Sequence, residues 1–232
     1  MRYSTLLFDL DHTLFDFDTS ELHAFEAALA VVGIDEHAAH FPTYQRLNTA
    51  LWAAAERGEI RSSQIRNLRF EQLCVELGLD ADQATVAAMA DAFVHGLGAA
   101  GDLYPGVLDV LDTVRAAGAA MAIVSNGLGE VVRARVDRLA LAGRFDAVIV
   151  SSEVGSSKPA PGIFDATFAA LGEPDPATAL MIGDSLTSDI AGGAAYGLAT
   201  AWLNRTGAAV GDGHPITHEL HDLTDLPTLL DL

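Results

Sequence analysis

The hydrophobic positions of this chain recur first at strand spacing, then at helical spacing, and finally in an alternation of the two. A short apolar run over residues 3–8 predicts a buried first strand. Between residues 18 and 97, apolar side chains return every three or four positions, which predicts a run of helices with no strand between them. The predicted helices cover roughly residues 18–33, 44–58, 62–78 and 82–97.

Short polar motifs predict where two of these helices begin. Asp18-Thr19-Ser20-Glu21 has the spacing of a capping box, in which Asp18 would precede the first helical turn. Ser62-Ser63 is a similar cap signal for the third helix. Glycines at positions 33, 58 and 78 are suitable residues to end the first three helices. We therefore expect these helices to form a small bundle of their own.

From residue 103 onward, short apolar strands alternate with helices. The predicted strands cover residues 119–124, 147–150, 179–182 and 199–203, and the helices 105–118, 130–139, 162–171 and 189–196. This alternation indicates a parallel sheet covered by helices on both faces, and the first strand has the same apolar texture. The predicted fold is α/β: a Rossmann-like parallel-sheet core, residues 1–15 and 101–232, with an inserted α-helical cap domain, residues 16–100.

Composition narrows the classes of partner. The 232 residues are half apolar, which allows a sizeable core, and the net charge is −19. Such an acidic chain is a poor partner for nucleic acid, although one metal ion and one lysine can still attract a small anion. The single cysteine, Cys74, excludes an intrachain disulfide and is predicted to be a buried thiol. No signal run opens the chain and no segment is apolar enough to span a bilayer, so we expect a cytoplasmic protein without a membrane partner.

Polar residues follow the ends of four predicted strands. Because ligands of open parallel sheets bind beyond the carboxyl ends of the strands, these residues are expected to form one site. Each alone has a structural explanation, such as a helix cap, a turn or a solvated surface residue, but their joint occurrence at one sheet edge favours function. The residues are Asp9, Asp11, Thr13, Ser125, Asn126, Gly127, Lys158, Asp184 and Asp189.

This set of side chains indicates phosphoryl chemistry. Three carboxylates suit a hard cation that prefers oxygen ligands, which favours Mg²⁺. The histidine pairs at 37/40 and 218/221 lie in segments remote from the strand ends and are expected to be solvent-exposed. Magnesium with a lysine and hydroxyl donors suggests a phosphoryl group as ligand. One carboxylate could attack phosphorus, and a second could protonate the departing oxygen and then activate water.

With these motifs in this order, the chain resembles the haloacid dehalogenase superfamily, specifically its phosphatase branch with a helical cap. The resemblance implies that Asp9 is the nucleophile and Asp11 the general acid and base. It implies that Thr13 helps to fix the loop and that Lys158 bridges Asp9 and the phosphate. Dehalogenases of the superfamily lack the second aspartate and need no metal, so Asp11 disfavours carbon–halogen cleavage.

The same resemblance implies the ligands of the phosphoryl group and of the metal. Ser125, with the backbone amides of Asn126 and Gly127, would hold the phosphoryl oxygens. Magnesium would be bound by the Asp9 carboxylate, the Asp11 backbone carbonyl and Asp184, with Asp189 in support.

The predicted cap carries a narrower resemblance, to the pyrimidine 5′-nucleotidases of bacteria that hydrolyse noncanonical nucleotides. Gln45 and Asn48 could hydrogen-bond the edge of a base, and Trp52 or Phe70 could stack on its face. Packing in the bundle core is an equal alternative for both aromatic residues. The residues that carry the resemblance include Tyr44-Gln45, Asn48, Leu51-Trp52, Gly58-Glu59-Ile60, Arg69-Phe70, Val154-Gly155, Lys158-Pro159 and Ala199-Thr200-Ala201-Trp202-Leu203-Asn204.

The resulting expectation is a magnesium-dependent phosphomonoesterase that hydrolyses pyrimidine nucleoside monophosphates through an aspartyl-phosphate. Two alternatives stay open. One is a phosphatase or mutase acting on phosphosugars, since capped relatives do both on the same core. The other is a phosphate-binding regulatory module without turnover, although such a module would not need both Asp9 and Asp11.

Overall fold

The computed structural model describes residues 2–210 and 213–232. Within them the strands, in chain order, are β1 Thr5–Phe8, β2 Ala120–Ser125, β3 Ala147–Val150, β4 Ala179–Gly183, β5 Ala199–Leu203 and β6 His218–Leu220. The helices are α1 Phe17–Ala30, α2 His37–Glu56, α3 Ser62–Glu76, α4 Gln83–Ala99, α5 Val107–Ala116, α6 Gly129–Arg138, α7 Ser151–Val154, α8 Pro161–Ala170, α9 Ala191–Tyr196 and α10 Leu226–Leu229.

The chain divides into two compact units. The sheet unit contains the residues up to Asp16, Asp102–Asn126 and Val136–Leu232, and the helical unit contains Phe17–Gly101 and Gly127–Arg135. The sequence pattern assigns Gly127–Arg135 to the α/β core, whereas in the structure this segment groups with the helices. The division between the units therefore falls within α6.

Within the described residues, the sheet unit holds six strands, all parallel, in the order β3-β2-β1-β4-β5-β6. This confirms the predicted α/β class. The strands β1 and β4 have no exposed positions, which explains why their sequences are apolar throughout. Successive strands build outward on one side of β1 as far as β3, and the chain then crosses to β4 on the other side. The strand order thus reverses at β1 and β4, where open α/β sheets bind their ligands.

The edge strand β6 was not predicted from the sequence. It has three residues, of which Leu220 alone is buried, so it lacks the apolar run that marked the other strands. It pairs with β5 in parallel, with Leu220 opposite Leu203. Tertiary pairing, rather than local pattern, therefore produces this strand.

The helical unit is built around α1, α2, α3 and α4. Its core contains Phe25, Tyr44, Phe70 and Phe93, which form a continuous aromatic cluster. Cys74 is buried in the same core, as predicted, and burial raises the pKa of its thiol. In the described part of the chain, no helix combines the length and apolar character needed to cross a membrane.

The capping box predicted at the start of α1 is wrong. The helix begins at Phe17, so Asp18 lies inside its first turn. The Ser20 hydroxyl donates to the Leu97 carbonyl at 3.0 Å, and the buried Glu21 carboxylate accepts from Tyr44 Oη at 3.0 Å. Both side chains are buried and have hydrogen-bond partners on other helices, as buried polar groups generally do.

Candidate active site

The ends of β1 and β4 bring two of the predicted carboxylates together. Asp9 follows β1 and Asp184 follows β4, and these strands pair in register with Phe8 opposite Ile182. The Asp9 backbone N–H donates to the Ile182 carbonyl at 2.9 Å, which extends the ladder into the site. Ser125, the last residue of β2, is buried at the other neighbour of β1. Asp9, Asp184 and Ser125 therefore stand at the sheet edge where the sequence predicted them.

Lys158 is buried at the centre of this edge. Its ammonium lies 2.7 Å from Asp9 Oδ1 and 2.7 Å from Asp189 Oδ1, and it donates to the Val124 carbonyl at 2.6 Å. The contacts to Asp9 and Val124 are hydrogen bonds, and the contact to Asp189 is an ion pair. Burial disfavours the charged form, but Asp189 and Asp9 outweigh that cost and raise the pKa of Lys158. Lys158 is therefore a buried, fully engaged cation.

Asn126 holds the backbone of Lys158 through a reciprocal pair of hydrogen bonds. Its Oδ1 accepts from the Lys158 backbone N–H at 2.8 Å, and its Nδ2 donates to the Lys158 carbonyl at 2.9 Å. From the sequence, only the backbone amide of Asn126 was expected to contribute to the site, so this role of its side chain was not predicted. Gly127 begins the segment that belongs to the helical unit. The proposed phosphoryl contacts of both amides stay predictions.

Asp189 reaches the site from a π-helical turn, Leu186–Ile190. Its Oδ2 accepts from the Ser185 backbone N–H at 3.0 Å, so both of its carboxylate oxygens have partners. The carboxylate occupies the space beside Gly183, where an added Cβ would collide with it. The glycine that ends β4 therefore makes room for Asp189, a relation with no signal in the local sequence pattern.

Asp9, Asp184 and Asp189 form a group that could hold a metal ion. One carboxylate oxygen from each lies within 4.8 Å of the others. Burial and the neighbouring carboxylates raise the pKa of Asp184 to about 8. Burial also raises the pKa of Asp9, and that of Asp189 to about 6, although Lys158 opposes both shifts. Because three carboxylates face one ammonium, the donor set and its charge fit a hard divalent cation such as Mg²⁺. Within the described residues, no histidine belongs to a group of this kind.

The loop after β1 turns sharply through Asp11 and Thr13. Between them His12 has a φ of 61°, and its N–H donates to the Phe15 carbonyl at 2.9 Å. A left-handed backbone at a residue other than glycine is uncommon and often marks a functional loop. Thr13 has no exposed surface, and its Oγ1 has no hydrogen-bond partner among the described residues, so its role in fixing the loop stays a prediction. Asp11 is half-buried, and its carboxylate lies outside the group of three.

The predicted base-binding residues have different environments in the helical unit. Asn48 is buried and donates from Nδ2 to Glu21 Oε1 at 2.9 Å, whereas Gln45 is exposed. Trp52 is half-buried against a small cluster that includes Leu51. Phe70 has no exposed surface and packs against the rings of Tyr44 and Phe93. It therefore belongs to the bundle core and is not a stacking surface.

Comparison with known proteins agrees with this geometry. The sequence model of a hydrolase family described as haloacid dehalogenase-like hydrolase matches residues 3–197. The pyrimidine 5′-nucleotidase YjjG of Escherichia coli is 32% identical over 99% of this chain and 99% of its own length. The pyrimidine 5′-nucleotidase PynA of Streptococcus pneumoniae is 30% identical over 100% of this chain and 96% of its own. The crystal structure of the HAD-hydrolase YfnB from Bacillus subtilis bound to magnesium is 30% identical, covers 100% of both chains and has a TM-score of 0.90.

The chain therefore belongs to the haloacid dehalogenase-like hydrolase family, and it is an enzyme of that class. The resemblance seen in the sequence motifs is confirmed, as is the fold class. Magnesium in a structure this similar to the whole chain agrees with the acidic group found at the sheet edge.

Proposed function

We propose that this protein is a magnesium-dependent phosphomonoesterase that hydrolyses pyrimidine nucleoside monophosphates. The observation that carries the phosphatase assignment is the contact of Lys158 with Asp9 and Asp189 beside Asp184. The names of two relatives that match nearly the whole chain support the choice of pyrimidine nucleotides.

The proposed reaction uses Asp9 as nucleophile. Its carboxylate attacks phosphorus, so an oxygen–phosphorus bond forms while the bond from phosphorus to the 5′ oxygen of the nucleoside breaks. Asp11 gives its proton to the departing oxygen. Water that has lost a proton to Asp11 then attacks the aspartyl-phosphate, which releases phosphate and restores Asp9. Lys158, 2.7 Å from Asp9, orients the carboxylate and offsets negative charge during both steps.

The three carboxylates have different proposed roles: two bind the metal directly, and the third supports the site. Both oxygens of Asp189 are engaged, one by Lys158 and one by the Ser185 N–H. Asp9, Asp184 and the backbone carbonyl of Asp11 are therefore the proposed ligands, with Asp189 holding Lys158 in place. Bound magnesium would supply positive charge that screens the approach of a carboxylate to a phosphoryl dianion.

Phosphate release from a panel of phosphorylated metabolites tests this assignment. The panel contains uridine, deoxyuridine and thymidine monophosphates, purine nucleotides, hexose phosphates and p-nitrophenyl phosphate. We expect the best pyrimidine nucleotide to exceed every other metabolite in kcat/KM by about tenfold or more. The Asp9→Asn protein, purified in parallel, is the control that measures phosphate release by any contaminating phosphatase.

Two other outcomes would contradict different parts of the proposed function. A sugar phosphate that exceeds every pyrimidine nucleotide would overturn the nucleotidase assignment and leave the phosphatase assignment standing. Binding of phosphorylated compounds without any release of phosphate would instead favour a regulatory module.

Base recognition is assigned in this proposal to the helical unit. Glu21 accepts from Asn48 Nδ2, which orients the amide, and Asn48 Oδ1 has no hydrogen-bond partner among the described residues. A pyrimidine N–H is a suitable donor for such an acceptor. Trp52, which is half-buried, is the proposed stacking residue. Truncation by Trp52→Ala is expected to lower the ratio of kcat/KM for uridine monophosphate to that for p-nitrophenyl phosphate, and an unchanged ratio would place Trp52 in the bundle core only.

A further inference from the structure

The chain segment at the end of β5 carries two long side chains that the proposed reaction does not use. We propose that Trp202 and Arg205 are positioning residues, each of which fixes the backbone of a different catalytic loop. The inference rests on the proposed function, since it concerns the placement of Asp184 and Asp11. By positioning Asp184, Trp202 would increase the affinity for Mg²⁺. By positioning Asp11, Arg205 would assist proton transfer to the leaving group.

Trp202 holds the residue that follows β4. Its indole Nε1–H donates to the Asp184 carbonyl at 2.8 Å. Trp202 lies opposite Gly183 in the sheet register. The residue is 5% exposed, so the surrounding core restricts the position of the indole. Because the carbonyl and the side chain belong to the same residue, this hydrogen bond restricts the direction of the Asp184 carboxylate. Outer partners of this kind commonly determine the affinity of a metal site.

Arg205 holds the loop that carries Asp11. Its Nη2 donates to the Thr13 carbonyl at 2.9 Å, and its guanidinium carbon lies 3.8 Å from the centroid of the Tyr104 ring. Its Nη1 faces Asp222 Oδ2 at 3.5 Å. Stacking on one side and an acidic partner at one end keep the guanidinium plane in place, a combination that lysine cannot reproduce. Arg205 thus fixes the backbone two residues after Asp11.

The edge strand β6 supports this segment. The Asn204 N–H donates to the Leu220 carbonyl at 2.7 Å, and Asn204 Nδ2 donates to Glu219 Oε1 at 2.7 Å. Asp222, the acidic partner of Arg205, follows the same strand two residues later. Pairing of β6 with β5 therefore places both the turn after β5 and the carboxylate that orients Arg205.

Magnesium binding by the metal-free protein tests the role of Trp202. Trp202→Phe keeps an aromatic ring but removes the N–H donor, and calorimetric titration is expected to show Mg²⁺ affinity reduced by about tenfold or more. The matched control is Trp52→Phe, expected to keep the Mg²⁺ affinity of the unsubstituted protein. In that control Trp202 is the remaining tryptophan, and its fluorescence is expected to change as Mg²⁺ saturates the site.

The outcomes separate this inference from the proposed function. Mg²⁺ affinity of Trp202→Phe within twofold of the unsubstituted protein would overturn the role of Trp202 alone. Failure of the unsubstituted protein to bind Mg²⁺ would overturn the proposed metal site and the inference with it. If Trp202→Phe does not fold, 3-benzothienylalanine at position 202 keeps the indole shape without the N–H, and the same loss of affinity is expected.

Leaving-group dependence tests the role of Arg205. A displaced Asp11 would slow loss of a poor leaving group, such as a nucleoside 5′ oxygen, more than loss of p-nitrophenolate, which needs little protonation. Arg205→Lys is therefore expected to reduce kcat/KM for uridine monophosphate by about tenfold more than that for p-nitrophenyl phosphate. The control is Arg144→Lys, which alters an exposed pair with Asp112 and is expected to leave the ratio unchanged. Equal losses on both substrates in Arg205→Lys would show a purely structural role.

Discussion

At the scale of single residues, the charge of Lys158 organises the site. Its side chain is 1% exposed, and its ammonium contacts two carboxylates, Asp9 and Asp189, that are themselves buried. An isolated buried charge costs several kcal/mol, so each of these groups depends on the others to stay ionised. Burial raises the pKa of Asp9, and the ion pair with Lys158 opposes this shift by favouring the ionised, nucleophilic carboxylate.

Replacement of the nucleophile separates chemistry from folding. Asp9→Asn is nearly isosteric, and Lys158 keeps Asp189 as partner, so we expect a folded protein whose phosphate release falls to background. Asp11→Asn is expected to lose about a hundredfold or more in kcat on nucleotides, because no group protonates the leaving oxygen. Malachite green assays on both purified variants measure this. Substantial turnover by Asp9→Asn would exclude the covalent mechanism.

Removal of the buried cation is expected to destabilise the protein. Lys158→Met leaves Asp9 and Asp189 without compensation, which we expect to lower the unfolding free energy of the metal-free protein by about 3 kcal/mol at pH 7.5, roughly the cost of breaking a buried pair. The loss should be smaller at about pH 5, because burial raises the pKa of Asp189 to about 6 and its carboxyl is then mostly protonated. Urea unfolding at the two pH values measures the difference, and equal losses would contradict the assigned charge balance.

At the scale of elements, the helical unit depends on close approach of α1 and α4. Gly96 lies in α4, and a Cβ built there would be 2.7 Å from Ala24 Cα in α1. Two helix backbones can approach this closely only where a side chain is missing. The glycine near the end of α4, which the sequence alone would treat as a weak position for a helix, is therefore a packing residue.

Two alanine substitutions in α4 compare packing with helix propensity. Gly96→Ala is expected to destabilise the protein by about 1–3 kcal/mol, since the added methyl forces α1 and α4 apart. At Gly98 an added Cβ would lie 3.3 Å from Ala134 Cβ, a tight contact but a longer one than at Gly96, so Gly98→Ala should destabilise less than Gly96→Ala because the gain in helix propensity offsets part of the crowding. Thermal unfolding of the two variants, side by side, measures this. A stabilising Gly96→Ala would show that the helices separate without cost.

At the scale of the whole molecule, the acidic site couples metal binding, pH and stability. The pKa of Asp184 is raised to about 8 and that of Asp189 to about 6 from an ordinary value of 3.8. Between about pH 4 and pH 8 the folded protein therefore holds protons that the unfolded chain has released. Stability of the metal-free protein should fall as the pH rises through this range, because these protons must leave a buried, crowded site.

Magnesium is expected to reverse this trend. Its ligands must be deprotonated, so affinity should increase as the pH rises from 5 to 8, and saturating Mg²⁺ should raise Tm more at pH 8 than at pH 5. Asp184→Asn, which removes a proposed ligand, should abolish most of the rise at both pH values. Differential scanning calorimetry with and without Mg²⁺ measures the effect. An equal rise in Tm at the two pH values would contradict the assignment of these carboxylates to the metal site.

The sequence by itself determined five of the six strands in the described sheet and the residue types at the candidate site. The apolar runs of β1, β2, β3, β4 and β5 are long enough to be recognised locally, and parallel strands place whatever follows them at one edge. Asp9, Asp184, Ser125 and Lys158 could therefore be assigned to one site from their order along the chain.

Only the tertiary structure decided which partner each polar group takes. Glu21 accepts from Tyr44 on another helix, and the Asn126 side chain forms hydrogen bonds with the backbone of Lys158. The strand β6, the space that Gly183 leaves for Asp189, and the hydrogen bond from Trp202 to Asp184 were equally absent from the local pattern. Hydrophobic periodicity encodes which face of an element is buried, whereas a hydrogen bond between residues far apart in the chain depends on how the elements pack.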